Sequence, residues 1–337
     1  MSKGMPLYKI SVIIPTYNSA NVLRSCLQAL LNVDYPLKLI EVIIVDSNSQ
    51  DDTHDIVKDF MIRYKDKLSD FKFIITKLRG LSRARNIGTK HAKGDFIFFL
   101  DSDVIVPPNI FNLLLEHFVR DQRIAVAGMP YLSERLTMYE KALYFRYPRP
   151  YGYVQFVDMG ATLVRASIAR KISFNEKLGI PYSTWESTEY CAKILRQGYK
   201  IVCDTRALCK HIKAHSKSCQ GSSKSVNPTL RLFTILGMIK YYFAKVGPAN
   251  LEVLKVAPRK WILKTTAYIT LPLITIVLSY INPLFTFLLL VPIIYHYIEC
   301  KLGTPLEKLI ISMLVITQRI IVSYATLLTA LKQLMRR

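Results

Sequence analysis

The sequence predicts an α/β domain built on a parallel sheet, followed by apolar segments suited to a membrane. Three observations lead there. Short runs rich in Ile, Val and Phe alternate with helix-length segments over residues 10–130. Strands that apolar, spaced that way, indicate a parallel sheet covered on both faces. The carboxyl ends of those runs carry clusters of Asp, Asn and Ser, and residues 265–298 contain no Asp, Glu, Lys or Arg.

In order, "ISVIIP" (10–15) is the first strand, and Val22, Leu23, Leu27, Leu30 and Leu31 give the next segment one apolar helical face. "LIEVIIVD" (39–46) is the second strand, followed by a charged helix over about 51–67. "FKFIIT" (71–76) is the third, "LSRARNIGTKHA" (81–92) a helix, and "DFIFFLD" (95–101) the fourth strand. "YVQFVDMGATLVRAS" (153–167) reads as strand, Gly turn, then strand or helix start. "STEYCAKILRQGYKIVCDT" (187–205) reads as a helix stopped at Gly198 and a further strand, which completes the domain by about residue 215. The expected organisation is a domain over 1–215, a basic linker and interfacial helix over 216–260, and a membrane region over 261–337.

The uncharged stretch 265–298 would measure about 51 Å as one helix, against about 30 Å of hydrocarbon. Asn282-Pro283 divides it, and Pro breaks a helix. Two short spans follow, about 262–281 and 283–299, with a re-entrant hairpin as the alternative. Residues 306–334 form a third apolar segment carrying Gln318 and Arg319, with Ser312, Arg319, Ser323 and Thr326 close to one face. It suits an amphipathic surface helix or a third membrane helix. Arg259, Lys260 and Lys264 precede the first span, Lys301 and Lys308 follow the second, and Arg336 and Arg337 close the sequence. The positive-inside rule puts all three groups, and the domain, on the cytoplasmic side.

The net charge of +22 is concentrated. Residues 190–264 hold fifteen Lys and Arg but only two acids, Asp204 and Glu252. The basic residues flank membrane segments and form no nucleic-acid module, so nucleic acid is not an expected partner. No Gly-x-Gly-x-x-Gly follows a strand, which argues against a dinucleotide oxidoreductase, and "IPTYNSANV" is not the Gly- and basic-rich loop of a nucleotidyltransferase. The six Cys form no C-x-x-C pair, and "MSKGMPLYKISVIIP" lacks a signal-peptide core. Both fit a reducing compartment for the first half.

Ligands of such sheets bind beyond the carboxyl ends of the strands. Those ends carry Pro15, Tyr17 and Asn18, then Asp46 and Asn48, then Asp101, Ser102 and Asp103. Two carboxylates a residue apart raise each other's pKa unless positive charge stands between them. A turn or a divalent cation each accounts for "DSD" alone; convergence of three polar clusters favours a site. A nucleotide diphosphate would use such a cation to neutralise its leaving group. Arg83, Arg85 and Asn86, near the start of their helix, are candidate phosphate donors.

"SVIIPTYN", "VIIVDSNSQDDT", "GLSRARNIG…AKGDFIFFLDSDV" and "ESTEYCAKILRQGYKIV" stand in the order and spacing of glycosyltransferase family 2, which residues 8–215 resemble. The resemblance implies a GT-A fold, a UDP- or GDP-sugar donor, Mg²⁺ or Mn²⁺, and inversion at the anomeric carbon. It implies that Asp46 reads the nucleoside, that Asp101-Ser102-Asp103 is the metal motif, that His211 lies near the metal or diphosphate, and that Gly160 and Trp185 lie on the acceptor side. One departure matters. The family's general-base Asp falls on Ser187, and a hydroxyl cannot accept a proton as a carboxylate does. Glu186 or Glu189 can substitute, or the acceptor needs no base, as an ionised polyprenyl phosphate would not. "APRKW" (257–261) lacks the Gln-x-x-Arg-Trp spacing of processive members, so transfer of one sugar is expected. The expected partners are a nucleotide-sugar, a lipid-linked acceptor and the membrane, with self-association left open. The alternative is a catalytically inactive, nucleotide-sugar-binding membrane subunit that keeps the fold.

Overall fold

The computed structural model describes residues 6–132, 151–178, 185–212, 290–299 and 305–335, with isolated positions between 253 and 270. The chain divides into two units, residues 1–134 with 149–219 and residues 135–148 with 220–337.

In the first unit β1 (Ile10–Thr16) is flanked by β2 (Ile40–Asp46) and β4 (Phe96–Leu100), and β3 (Asp70–Ile75) lies outside β2, all parallel. Side chains alternate along the first strand. Val12 and Ile14 join Leu23, Leu27 and Leu30 of α1 (Ala20–Leu31), while Ile13 joins Ala84 of α3 (Leu81–His91) on the other face. Each buried side chain of that size contributes roughly 1.5–3 kcal/mol. α2 (Thr53–Tyr64) and α4 (Ile110–Arg120) cover the α1 face. Gly88 lets α3 lie close on the sheet, since a Cβ there would stand 2.4 Å from Ile13 Cγ2.

The strands over residues 10–100 are parallel, as expected there, and the later strands make the whole sheet mixed. The eight strands run β3-β2-β1-β4-β9-β6-β10-β8. β9 (Ala161–Arg165) inserts antiparallel between β4 and β6 (Ile124–Gly128). β10 (Lys200–Cys203) is parallel to β6, and β8 (Gly152–Val154) closes the edge antiparallel to β10. The antiparallel strands β8 and β9 both fall after residue 150, in the part of the sequence that shows no regular strand–helix alternation. A short helix, α5 (Ala166–Ala169), follows β9, and α6 (Glu186–Arg196) packs on the α3 face through Tyr190 and Ile194. A second sheet, β5 (Val104–Ile105), β11 (Cys209–His211) and β7 (Tyr131–Leu132), follows the end of β4.

In the second unit α7 (Leu290–Glu299) and α8 (Pro305–Leu334) are described. Apart from isolated positions, the linker over 216–260 and the expected span at 262–281 lie outside the described residues, as do 283–289; the rest of the expected span at 283–299 is the helix α7. Among the described residues no helix is long and apolar enough to cross a membrane. The segment expected over 306–334 is one helix with inverted polarity. Ser312, Ser323 and Thr326 are buried, while Leu306, Met313, Leu331 and Met335 are exposed.

Candidate active site

The sheet brings the strand-end clusters to one edge. Thr16 pairs in register with Asp46, and Leu100 with Ala161, which sets Gly160 beside Asp101. The Asp101 amide donates to the Gly160 carbonyl at 3.0 Å. Ser19 Oγ and Ser102 Oγ stand 3.0 Å apart, joining the loop after β1 to the loop after β4.

Asp46, expected to read the nucleoside, is bonded to protein groups in its own loop and neighbouring strand. Its carboxylate is fully buried and committed. Oδ1 accepts from the Ser49 amide and pairs with His54 Nε2, at 2.8 and 2.7 Å; Oδ2 accepts from Thr16 Oγ1 and Ser49 Oγ, at 2.7 and 2.6 Å. Burial works to raise its pKa, but the Ser49, His54 and Thr16 bonds prevail and hold it below the usual carboxylate value. Asp46 therefore ties the loop after β2 in place and has no lone pair directed at a nucleoside. The loop it shapes carries Asn48, exposed and left-handed at φ 60°, and Asn18 is left-handed at φ 49°. Short polar side chains adopt that region most readily. Asn18 Oδ1 accepts from the Gln50 amide at 2.8 Å, so the two loops lock together. Pro15 is buried within β1. Tyr17 is exposed, with the Arg79 guanidinium 3.9 Å over its ring.

The three expected phosphate donors each bond protein groups. Arg83 Nε donates to Glu176 Oε2 at 2.8 Å. Asn86 Nδ2 donates to the Phe174 carbonyl and Glu176 Oε1, at 2.9 and 3.1 Å. Arg85 is only 1% exposed; its Nη2 donates to Asp101 Oδ1 at 2.8 Å and its Nη1 to Glu186 Oε1 at 3.2 Å. Burial pushes the Asp101 carboxyl above its usual value; Arg85 opposes the shift and the charges of Asp103 and Glu186 add to it.

Trp185, expected on the acceptor side, precedes α6 in a left-handed conformation, φ 86°, which is strained for a bulky residue. It delivers Glu186 to the first position of the helix. Ser187 Oγ donates to Glu186 Oε1 at 3.0 Å and accepts from the Met159 amide at 3.3 Å. Glu189 is buried and pairs with Lys193 at 2.8 Å, one turn along.

Asp103 and His211 meet, Oδ2 to Nε2, at 3.1 Å, and the Ile212 amide donates to the Asp103 carbonyl at 2.8 Å. The Tyr131 and His211 rings lie 5.6 Å apart. Among the described residues no group of three or more His, Cys, Asp or Glu side chains is placed to hold a metal ion. Of the expected set, Asp101 is paired with Arg85, while Asp103 and His211 stand together and would hold a divalent cation, which would supply charge neutralisation to a diphosphate. The sequence reading missed His54 and Arg79. His54 lies in the first turn of α2, eight residues past the acid that ends β2, and Arg79 lies in the loop before α3.

Residues 11–172 match the family described as Glycosyl transferase family 2. A Bacillus subtilis (strain 168) protein named "Probable glycosyltransferase YdaM" is 31% identical over 211 residues, covering 58% of this chain and 48% of its own. The chain spans about half the length of the curated relatives it matches. The crystal structure of S. aureus TarS residues 1–349 with UDP-GlcNAc superposes with TM-score 0.53 at 21% identity, covering 74% of this chain and 68% of that one. The Pyrobaculum calidifontis mannosyltransferase PcManGT with GDP-Man and Mn²⁺ gives TM-score 0.51 at 16% identity, covering 91% and 86%. The protein has an α/β GT-A-like fold with a large mixed sheet.

Proposed function

We propose that this chain is an inverting glycosyltransferase of family 2. It moves one sugar from a UDP- or GDP-sugar to a lipid-linked acceptor, a polyprenyl phosphate or a lipid-linked glycan, at the cytoplasmic face of a membrane. The observation that carries the reading is the meeting of Asp101, Ser102 and Asp103 with the Tyr17–Ser19 and Asp46–Ser49 loops at one sheet edge, within the segment that matches the family. Solved structures of similar fold were obtained with UDP-GlcNAc, and with GDP-Man and Mn²⁺. Mg²⁺ or Mn²⁺ held by Asp103 and His211 would neutralise charge on the departing diphosphate.

The acid–base arrangement favours a phosphate acceptor. Ser187 stands at the base position, Glu186 is paired with Arg85, and Glu189 is paired with Lys193. A phosphate oxygen is already ionised at neutral pH and attacks the anomeric carbon without giving up a proton. As the new C–O bond forms, the bond to the diphosphate breaks and its electron pair leaves with the nucleotide.

Membrane attachment is supported by the uncharged stretch 265–298 and its basic flanks. The exposed apolar side chains of α8 suit a helix lying in the interface. The same Ser187 and the hold of Arg85 on Asp101 also favour a second reading, a nucleotide-sugar-binding membrane subunit without turnover. The experiment is transfer of radiolabelled sugar by the full chain in lipid, from a panel of UDP- and GDP-sugars, to polyprenyl phosphate. Label in the lipid phase supports the transferase; metal-dependent nucleotide binding without transfer to phosphate or glycolipid acceptors supports the subunit.

A further inference from the structure

We propose that Arg85 is a positioning residue that couples the donor-side carboxylate Asp101 to the acceptor-side carboxylate Glu186, so that neither acid is set independently. The roles of the two sides rest on the proposed function; the coupling is a property of the fold.

The three residues come from different elements: α3 supplies Arg85, the end of β4 leads into Asp101, and α6 begins at Glu186. Two different nitrogens make the two contacts, 2.8 Å from Nη2 to Asp101 and 3.2 Å from Nη1 to Glu186. A planar guanidinium presents its donors in a fixed fork, so it fixes the two carboxylates relative to each other. The fork itself is held. The Phe174 ring lies 5.4 Å from the guanidinium carbon and stacks on Tyr190 at 4.0 Å and 8°. Nε is buried and has no partner among the described residues, so the orientation satisfies the two acids rather than all of the donors.

Arg85 is not what fastens α3 to its surroundings. Arg83 and Asn86 already bind Glu176 and the Phe174 backbone, and Ser82 Oγ donates to the Leu178 carbonyl at 2.9 Å. The Arg85 fork is directed at the two acids instead. The second Asp101 oxygen lies on the other side, where a Cβ on Gly160 would stand 2.6 Å from Oδ2 and 2.9 Å from Tyr131 Oη. Tyr131 in turn lies beside His211, the partner of Asp103. Direct contacts run from Glu186 through Arg85 to Asp101, and Asp101 Oδ2 and Tyr131 both flank Gly160.

The test compares wild type, Arg85→Lys, Glu186→Gln and the double variant, all as the full chain. Hydrogen exchange over residues 96–106 is read first, because it needs no activity. Coupling predicts that Glu186→Gln, although confined to α6, speeds exchange at Asp101–Val104 several-fold, as does Arg85→Lys, with the melting temperature kept within a few degrees. In transfer assays each single variant lowers kcat by about tenfold or more with little change in donor KM, and the double variant is no worse than the worse single. A change confined to residues 185–190 in Glu186→Gln, or losses that multiply in the double variant, overturns the proposal. A wild type without transfer sinks the transferase reading, while the exchange result still decides the coupling.

Discussion

His211 Nε2 lies 3.1 Å from Asp103 Oδ2, so the end of β11 and the loop after β4 meet through their side chains. On the proposed function these two groups would hold the cation beside the diphosphate. Asp103→Ala is expected to lower turnover by about a hundredfold or more, and His211→Ala by about tenfold. Both should leave the melting temperature nearly unchanged, since each side chain is partly exposed. Steady-state nucleotide release with thermal melting checks this; unaltered turnover in Asp103→Ala would exclude the pair from the site.

Asp46 sets a pH dependence of stability. Its folded pKa is below the usual value, as is that of Asp204, where burial is outweighed by bonds from His117 and Arg206. An acid depressed in the folded state adds stability in full above its unfolded pKa, about 3.9, and loses it as pH falls through the folded value. Asp101, held above its usual value by burial, acts in the opposite sense: its ionisation costs stability as pH rises past the unfolded value. Asp51, Asp59, Asp70, Glu116, Asp121 and Glu176 are depressed as well, so the depressed acids outnumber Asp101 and predict a melting temperature that falls on acidification below about pH 4. Asp46→Asn should flatten that slope and cost roughly 3 kcal/mol, because Ser49 and His54 lose a charged acceptor. Urea unfolding at a series of pH values measures both.

Gly160→Ala separates site geometry from folding. The added Cβ meets Asp101 Oδ2 and Tyr131, both ends of side chains, so the backbone need not move. Asp101 must move instead, against the hold of Arg85. Turnover is expected to fall about tenfold with a stability loss of only about 1 kcal/mol. Wild-type turnover would show that the second Asp101 oxygen is not needed where it stands.

Ser187 tests whether a base is required. Ser187→Ala removes one hydrogen bond to Glu186 and leaves the Arg85 contact. With a phosphate acceptor the rate should stay within about threefold of wild type, and the pH profile of kcat should keep its shape. A loss of about a hundredfold would assign the Ser187 hydroxyl a direct part in proton transfer.

Much of the first unit was legible because its strands are continuous apolar runs and its helices have one apolar face. β1 to β4 and α6 fall where the periodicity puts them. The insertion of β9 between β4 and β6 was not legible, since five residues, "ATLVR", say nothing of which neighbours they pair with. The strand-end clusters were found, but their internal commitments were not. Asp46 looked like a ligand-facing acid, and its saturation depends on Thr16 and His54, which only the fold brings to it. Arg85 looked like a phosphate donor because it stands near the start of its helix; its partners, Asp101 and Glu186, are distant in sequence. For 262–281 the sequence reading concerns residues outside those described.

The central claim is that the crevice at Asp101–Asp103 turns over a nucleotide-sugar. The most direct measurement is nucleotide release by the purified full chain in lipid, with Mn²⁺ or Mg²⁺, polyprenyl phosphate and each UDP- or GDP-sugar, beside Asp103→Ala. The account predicts release with one donor that needs the metal and the lipid phosphate and is lost in the variant. Absence of nucleotide binding as well as release, with every donor, would contradict it and leave "DSD" as a turn.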